Sequence, residues 1–286
     1  MSILHRSHKI AALSVASVLL ASACTSDHER SKPSLFKQNR LILGMKNDQP
    51  GTSVVDHYKR SGFEVQVAYH LTRAEGFVPK QLAFNDTPSE DRVLAVKDNR
   101  VDLMIATFSI NDERLSDINF AGSYLVTKQG FLLRKDGPSF KTPEEFNGRP
   151  VCTWPGTTSE VVLRSQYSDI INVSGNDAQD CINKLKSGKV VAVSTDQIIL
   201  YGFAQLDEEV TVSTVTIGSP NNYGVGISKD YPGDCKEIAA KIAEYVTSSD
   251  WQNDLIAAFP ELQKGDQWKQ FQPMPQQIKC HDKPSK

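Results

Sequence analysis

Ala121-Gly122-Ser123-Tyr124-Leu125-Val126 runs straight on to Gln129-Gly130-Phe131-Leu132-Leu133-Arg134, two apolar strand pieces with no helix between them. After roughly 95 further residues, Ser219-Pro220-Asn221-Asn222 leads directly into Tyr223-Gly224-Val225-Gly226. Elsewhere the rhythm is regular. Strand-like runs are Arg40–Met45, Gln81–Phe84, Asp102–Phe108, Gln129–Arg134, Pro150–Thr153, Val190–Thr195 and Tyr223–Ser228. Helix-like stretches are Val54–Thr72, Ser89–Asp98, Thr158–Tyr167, Ala178–Ser187, Gln197–Leu206, Cys235–Thr247 and Trp251–Phe259. This alternation predicts an α/β fold with mainly parallel sheets. The two interruptions predict one lobe inserted into another, joined by two crossing strands, with a cleft hinged at its base. The predicted boundaries are 39–126 with 222–286 for the first lobe and 127–221 for the second.

Composition narrows the class. The 286 residues include 32 Lys+Arg against 34 Asp+Glu, a net charge of −2, with 39% hydrophobic and 23% charged residues. That is ordinary globular usage and excludes a disordered chain, a collagen and a multi-span membrane protein. A slightly acidic balance argues against nucleic acid as the partner, because phosphate binding needs an excess of Lys/Arg on one face.

The N-terminus reads as an export signal. Arg6 and Lys9 form a basic start, Ile10 to Ala21 is uncharged and apolar, and Ala21-Ser22-Ala23-Cys24 follows. Residues 1–23 are expected to be a signal peptide. The apolar run is short of the ~20 residues a spanning helix needs. Its end resembles a bacterial lipobox, which implies lipidation of Cys24 and anchoring to the cell membrane. Residues 24–38 are polar and unpatterned, and are expected to form a flexible tether. Export implies an oxidising compartment in which thiols pair. With Cys24 set aside, four cysteines allow three pairings. Cys152–Cys181 with Cys235–Cys280 is favoured, since each bond then stays within one lobe. There is no C-x-x-C, and His28, His57, His70 and His281 are scattered. Neither a metal centre nor a cofactor is expected.

Several motifs, in order, resemble those of bacterial extracellular solute-binding proteins of the polar amino-acid type (family 3). They are Leu43-Gly44, Ser61-Gly62-Phe63-Glu64-Val65, the block Val101 to Ile110 followed by Arg114 and Asn119-Phe120, Gly156-Thr157-Thr158-Ser159-Glu160, Val193-Ser194-Thr195-Asp196 and Tyr223-Gly224-Val225-Gly226-Ile227. The resemblance spans roughly residues 40–260. Within the family, Lys46 with Asp48-Gln49-Pro50-Gly51, the pair Cys152/Cys181, and Ser89-Glu90-Asp91-Arg92 are similar to glutamate/aspartate-binding lipoproteins of actinobacterial type. The resemblance implies a periplasmic-binding-protein-like (type II) fold. It also implies a monomeric receptor for an ABC importer, with no catalytic residue, whose partners are a membrane permease and a small amino acid.

The implied site follows from what a zwitterion requires. Buried unpaired charge is costly, so both the carboxylate and the ammonium need partners. Arg114 offers a bidentate fork for the α-carboxylate, which Lys cannot reproduce. Thr107 and Ser109 place hydroxyls at the C-terminal end of a strand, the usual binding edge of an α/β sheet. Thr158, in the first turn of a helix, offers its amide and hydroxyl to the carboxylate. Asp196 accepts from the ammonium; as a plain structural residue it would cap the helix starting at Gln197. Lys46, Arg92 and Ser89 are left for the ligand side chain. With Arg114 they make the site net positive, which suits glutamate or aspartate and makes asparagine or glutamine secondary ligands. Residues 47–51 carry no aromatic ring to cover the ligand, and Ala178 stands where some dicarboxylate receptors have histidine.

Two other classes compete. A dehydratase-like enzyme on this fold would need a general acid or base in the cleft. Glu160 is the extra carboxylate near the mouth, and no G-x-S-x-G, H-E-x-x-H or P-loop is present. A sensing module for a membrane signalling protein would use the same site.

Overall fold

The computed structural model describes residues 32–283. The signal segment and Cys24 lie outside the described residues. The first lobe opens with β1 (Leu41–Met45), a small sheet of β2 (Asp48–Gln49), β3 (Ser53–Asp56) and β4 (Lys59–Ser61), and then α1 (Phe63–Ala74). It continues through β5 (Leu82–Asp86), α2 (Arg92–Lys97), β6 (Leu103–Met104) and the single turn α3 (Asp112–Leu115). The chain crosses on β7 (Asn119–Arg134). The second lobe holds β8 (Pro150–Thr153), α4 (Thr158–Gln166), β9 (Ile171–Ser174), α5 (Ala178–Lys186), β10 (Ala192–Asp196) and α6 (Gln197–Ala204). The return crossing is β11 (Val210–Ile227), followed by α7 (Pro232–Val246), α8 (Ser249–Ala258) and the edge strand β12 (Lys279–His281).

The sheet order is β5-β1-β6-β11-β7-β10-β8-β9, with β12 on β7. Strands β5, β1 and β6 are parallel in one half, and β10, β8 and β9 in the other. The antiparallel pair β7/β11 runs through both halves. Its register shifts between Ile217 and Asn221, opposite Gln129 and Thr127. Strand β7 is buried along almost its whole length, as expected of a central strand covered on both faces. The core closes around Trp251, whose ring meets Phe63 and Trp268 edge-on and whose Nε1 donates to the Tyr124 carbonyl at 2.8 Å.

Both disulfides form, Cys152–Cys181 tying β8 to α5 and Cys235–Cys280 tying α7 to β12.

Three sequence expectations need correction. The helix expected over Val54–Thr72 is a hairpin followed by α1. The hairpin turn places His57 and Tyr58 at φ 45° and 64°, and Gly62 at φ 127° separates β4 from the helix. A Cβ on Gly62 would stand 2.3 Å from the Thr52 carbonyl oxygen, so only glycine fits. The strand expected over Asp102–Phe108 pairs only at Leu103–Met104. Thr107 then takes φ 46° and lifts the chain out of the sheet. Residues 32–38, expected in the tether, pack on the body. Leu35 is buried, its N–H donates to Asp234 at 2.7 Å, and Lys32 pairs with Asp230. Burying one leucine contributes about 1.5–3 kcal/mol to holding the segment there.

Candidate ligand-binding site

The polar residues singled out above gather where strand C-termini face each other across the lobes. This is the usual ligand edge of an α/β sheet. A cavity of about 10 Å³ lies between the lobes. Ser89, Arg92, Thr107, Ser109, Thr158 and Asp196 line it, together with Gln49, Trp154 and Ile199. It shares Ser89, Thr157 and Thr158 with a wider groove of about 540 Å³, whose wall includes Arg114, Glu160 and Asn221.

Two arginines converge from the first lobe on one carbonyl of the second. Arg92 Nη2 and Arg114 Nη2 each donate to the Gly156 oxygen at 2.9 Å. Arg92 also donates from Nε to Ser89 O and from Nη1 to Ala106 O and Thr107 O. Arg114 has one further bond, Nη1 to Ser109 O at 2.7 Å. Arg92 is therefore largely engaged by its own lobe, whereas Arg114 keeps more of its five donors available. Burial pushes Arg92 down to about 10. Burial, reinforced by the charge of Arg92, pushes Arg114 down to about 9. Both remain protonated at neutral pH.

Asp196 stands at the N-cap position of α6 but makes no cap bond. Its two oxygens instead accept from Asn221 Nδ2 at 2.6 Å and the Tyr223 hydroxyl at 2.5 Å, both on β11. Burial raises its carboxyl above the usual aspartate value, and the hydrogen bonds oppose that rise. The N-cap of α4 is Thr157, whose hydroxyl accepts from Glu160 N–H. That frees the Thr158 hydroxyl, which lies 3.5 Å from Ser109 Oγ across the cleft.

Lys46 is buried but does not line the cavity. Its ammonium lies 3.4 Å from both Asp48 Oδ1 and the Thr87 carbonyl. Burial lowers its pKa, with Asp48 opposing.

Four contributors escaped the sequence reading. Glu64 lies beneath the site, where its carboxylate accepts from Thr107 N–H at 2.6 Å and from the Tyr124 hydroxyl. It thereby holds Thr107 in its left-handed conformation, a strained state that persists only when its surroundings impose it. The acid in Gly62-Phe63-Glu64-Val65 was the available signal. Trp154 supplies from the second lobe the aromatic wall absent from residues 47–51, and its buried Nε1 has no partner among the described residues. Gln49 accepts from the Thr107 hydroxyl at 3.0 Å. Tyr223 fixes Asp196.

The family model of bacterial extracellular solute-binding proteins, family 3, matches residues 41–272. The glutamate-binding protein GluB of Corynebacterium efficiens is 30% identical over 206 residues, 68% of this chain and 70% of that protein. A glutamine-binding protein of Geobacillus stearothermophilus is 26% identical over 219 residues, 76% of this chain and 82% of that one. The crystal structure of the solute receptors for L-cysteine of Neisseria gonorrhoeae superposes with a TM-score of 0.76 at 19% identity, covering 84% of this chain and 98% of that one, and shares the fold. With two α/β lobes, long crossing strands and a polar cleft between them, the chain belongs to the bacterial extracellular solute-binding proteins of family 3, the extracytoplasmic amino-acid-binding components of ABC importers.

Proposed function

We propose that the ligand is an acidic amino acid, glutamate or aspartate, taken in the interlobe cleft and handed to an ABC permease. The α-carboxylate goes to Arg114 with Ser109 and Thr158, and the ammonium to Asp196 and the Thr107 hydroxyl. The observation that carries this reading is the convergence of Arg92 and Arg114 on the Gly156 carbonyl, with Asp196 beside Arg92 in the cavity and Arg114 on the wall of the adjoining groove. Two guanidiniums set against one ligand-facing carboxylate favour a ligand of net negative charge. Similarity to a protein named for glutamate binding supports it. Entry requires the lobes, 39–126 with 222–286 and 127–221, to part about β7 and β11 and close again over the ligand. A lipid on Cys24 would hold the receptor at the outer face of the membrane.

One observation favours glutamine or asparagine. Lys46 lies outside the cavity wall, whereas Gln49 and Trp154 are in it. A thermal-shift screen of the twenty amino acids, followed by calorimetry on the hits, tests both readings. Glutamate or aspartate should give the largest rise in Tm. A larger rise with glutamine would transfer the assignment to the amide.

Affinity should fall on acidification, starting above the usual aspartate range. Ionised Asp196 pairs with an ammonium far more strongly than the neutral acid does, and burial raises its pKa. The stability effect of this group has the opposite sign. Its contribution to the ligand-free fold is full below the unfolded-state value and is lost as pH rises through the higher folded one. Calorimetry from neutral to acid pH checks this, and pH-independent affinity would remove Asp196 from the site.

A further inference from the structure

Arg92 and Arg114 raise a question that their hydrogen bonds leave open. Both are buried, and each lies close enough to the other for repulsion to be felt. Among the described residues neither has an acidic partner within ion-pair distance. The two nearby carboxylates are engaged elsewhere, Asp196 with Asn221 and Tyr223, and Glu64 with Thr107 and Tyr124. Besides backbone carbonyls, both cations face the same aromatic ring. The guanidinium carbon of Arg92 lies 4.8 Å, and that of Arg114 4.7 Å, from the ring centroid of Phe108.

We propose that Phe108 is a positioning residue for ligand binding: its π face holds the Arg92 and Arg114 guanidiniums in place while using none of their N–H donors. This rests on the reading of those arginines as ligand-binding groups. A carboxylate in the same place would neutralise the forks and occupy their donors, competing with the ligand. The negative face of an aromatic ring attracts a desolvated cation and leaves its N–H groups free. The ring is itself clamped. Phe120 meets it edge-on at 4.8 Å, and Gly224 N–H donates to the Phe108 carbonyl at 3.0 Å. A Cβ on Gly226 would stand 3.1 Å from the Phe108 ring, so glycine there lets the ring keep its seat. This gives the Tyr223-Gly224-Val225-Gly226 motif a role in the site.

The test replaces Phe108, by site-specific incorporation, with 4-fluoro-, 3,5-difluoro- and 3,4,5-trifluorophenylalanine. The series nearly conserves volume while draining charge from the ring face. The glutamate dissociation constant should rise stepwise, roughly tenfold over the series, with Tm nearly constant. A dissociation constant that stays level through the series would overturn the proposal. Should the unmodified protein bind no acidic or amide amino acid, the ligand reading fails by itself. The ligand-free arginine side-chain spectrum then decides the matter. A progressive shift of the Arg114 Nε–H resonance with fluorination supports the π contact, and an unmoved resonance rejects it.

Discussion

Arg114→Ala is expected to abolish binding, weakening glutamate affinity at least about 100-fold, while the protein stays folded. A charge-assisted fork is worth about 1.5–3 kcal/mol per hydrogen bond, and two such bonds to a carboxylate would be lost together. Within the protein the substitution removes the bonds to the Ser109 and Gly156 carbonyls and the contact with the Phe108 ring, and it also relieves the repulsion with Arg92 and the burial of a charge. Stability should therefore change little compared with affinity. Isothermal calorimetry alongside a melting curve separates the two. Unchanged affinity would exclude Arg114 from the site, and an unfolded variant would show that its carbonyl bonds are its main role. Arg114→Lys keeps the charge without the fork and should recover only a small part of the loss.

The second large effect concerns stability. Cys152→Ser with Cys181→Ser should lower stability by about 3–4 kcal/mol, because the bond closes a loop whose ends are 29 residues apart. For a protein of this size that corresponds to a fall in Tm of roughly 7–14 °C. The bond ties β8, which leads to Trp154 and Gly156, to α5. Loosening it should also weaken ligand binding. A reducing agent acting on the native protein, which opens Cys235–Cys280 as well, should lower Tm at least as far, and an unaltered melting curve after verified reduction would show the bond to be dispensable.

Much of the architecture was legible because it rests on local pattern. The apolar runs of β1, β8, β10 and α6 and the amphipathic periods of α4 and α5 lie close to where the sequence places them. The crossing strands were legible because no helix separates their apolar pieces. The misses have equally local causes. The β3–β4 turn uses His57 and Tyr58 where such turns usually carry asparagine or glycine, so nothing marked it as a turn. Strand β9 is an edge strand with exposed or half-buried residues and no continuous apolar run. Motif order singled out Arg114, Asp196, Thr107 and Thr158 as candidates, because each sits at a strand end or helix start, and the fold brings them to the cavity and its adjoining groove. Order could not reveal that Asp48 and the Thr87 carbonyl hold Lys46 outside the cavity wall, nor that Trp154 and Glu64 reach the site. Those facts depend on how distant segments meet.

The chain joins the body beside Asp230, where Lys32 and Leu35 fasten to the start of α7. That attachment belongs to the first lobe. If the lipid proposed on Cys24 restrains the chain, its pull would reach this lobe first, and the other lobe only through the crossing strands β7 and β11. In the opening and closing proposed above, the jaw built on β8, β10 and α4 would then be the one to swing, bringing Asp196 and Gly156 towards nearly stationary arginines.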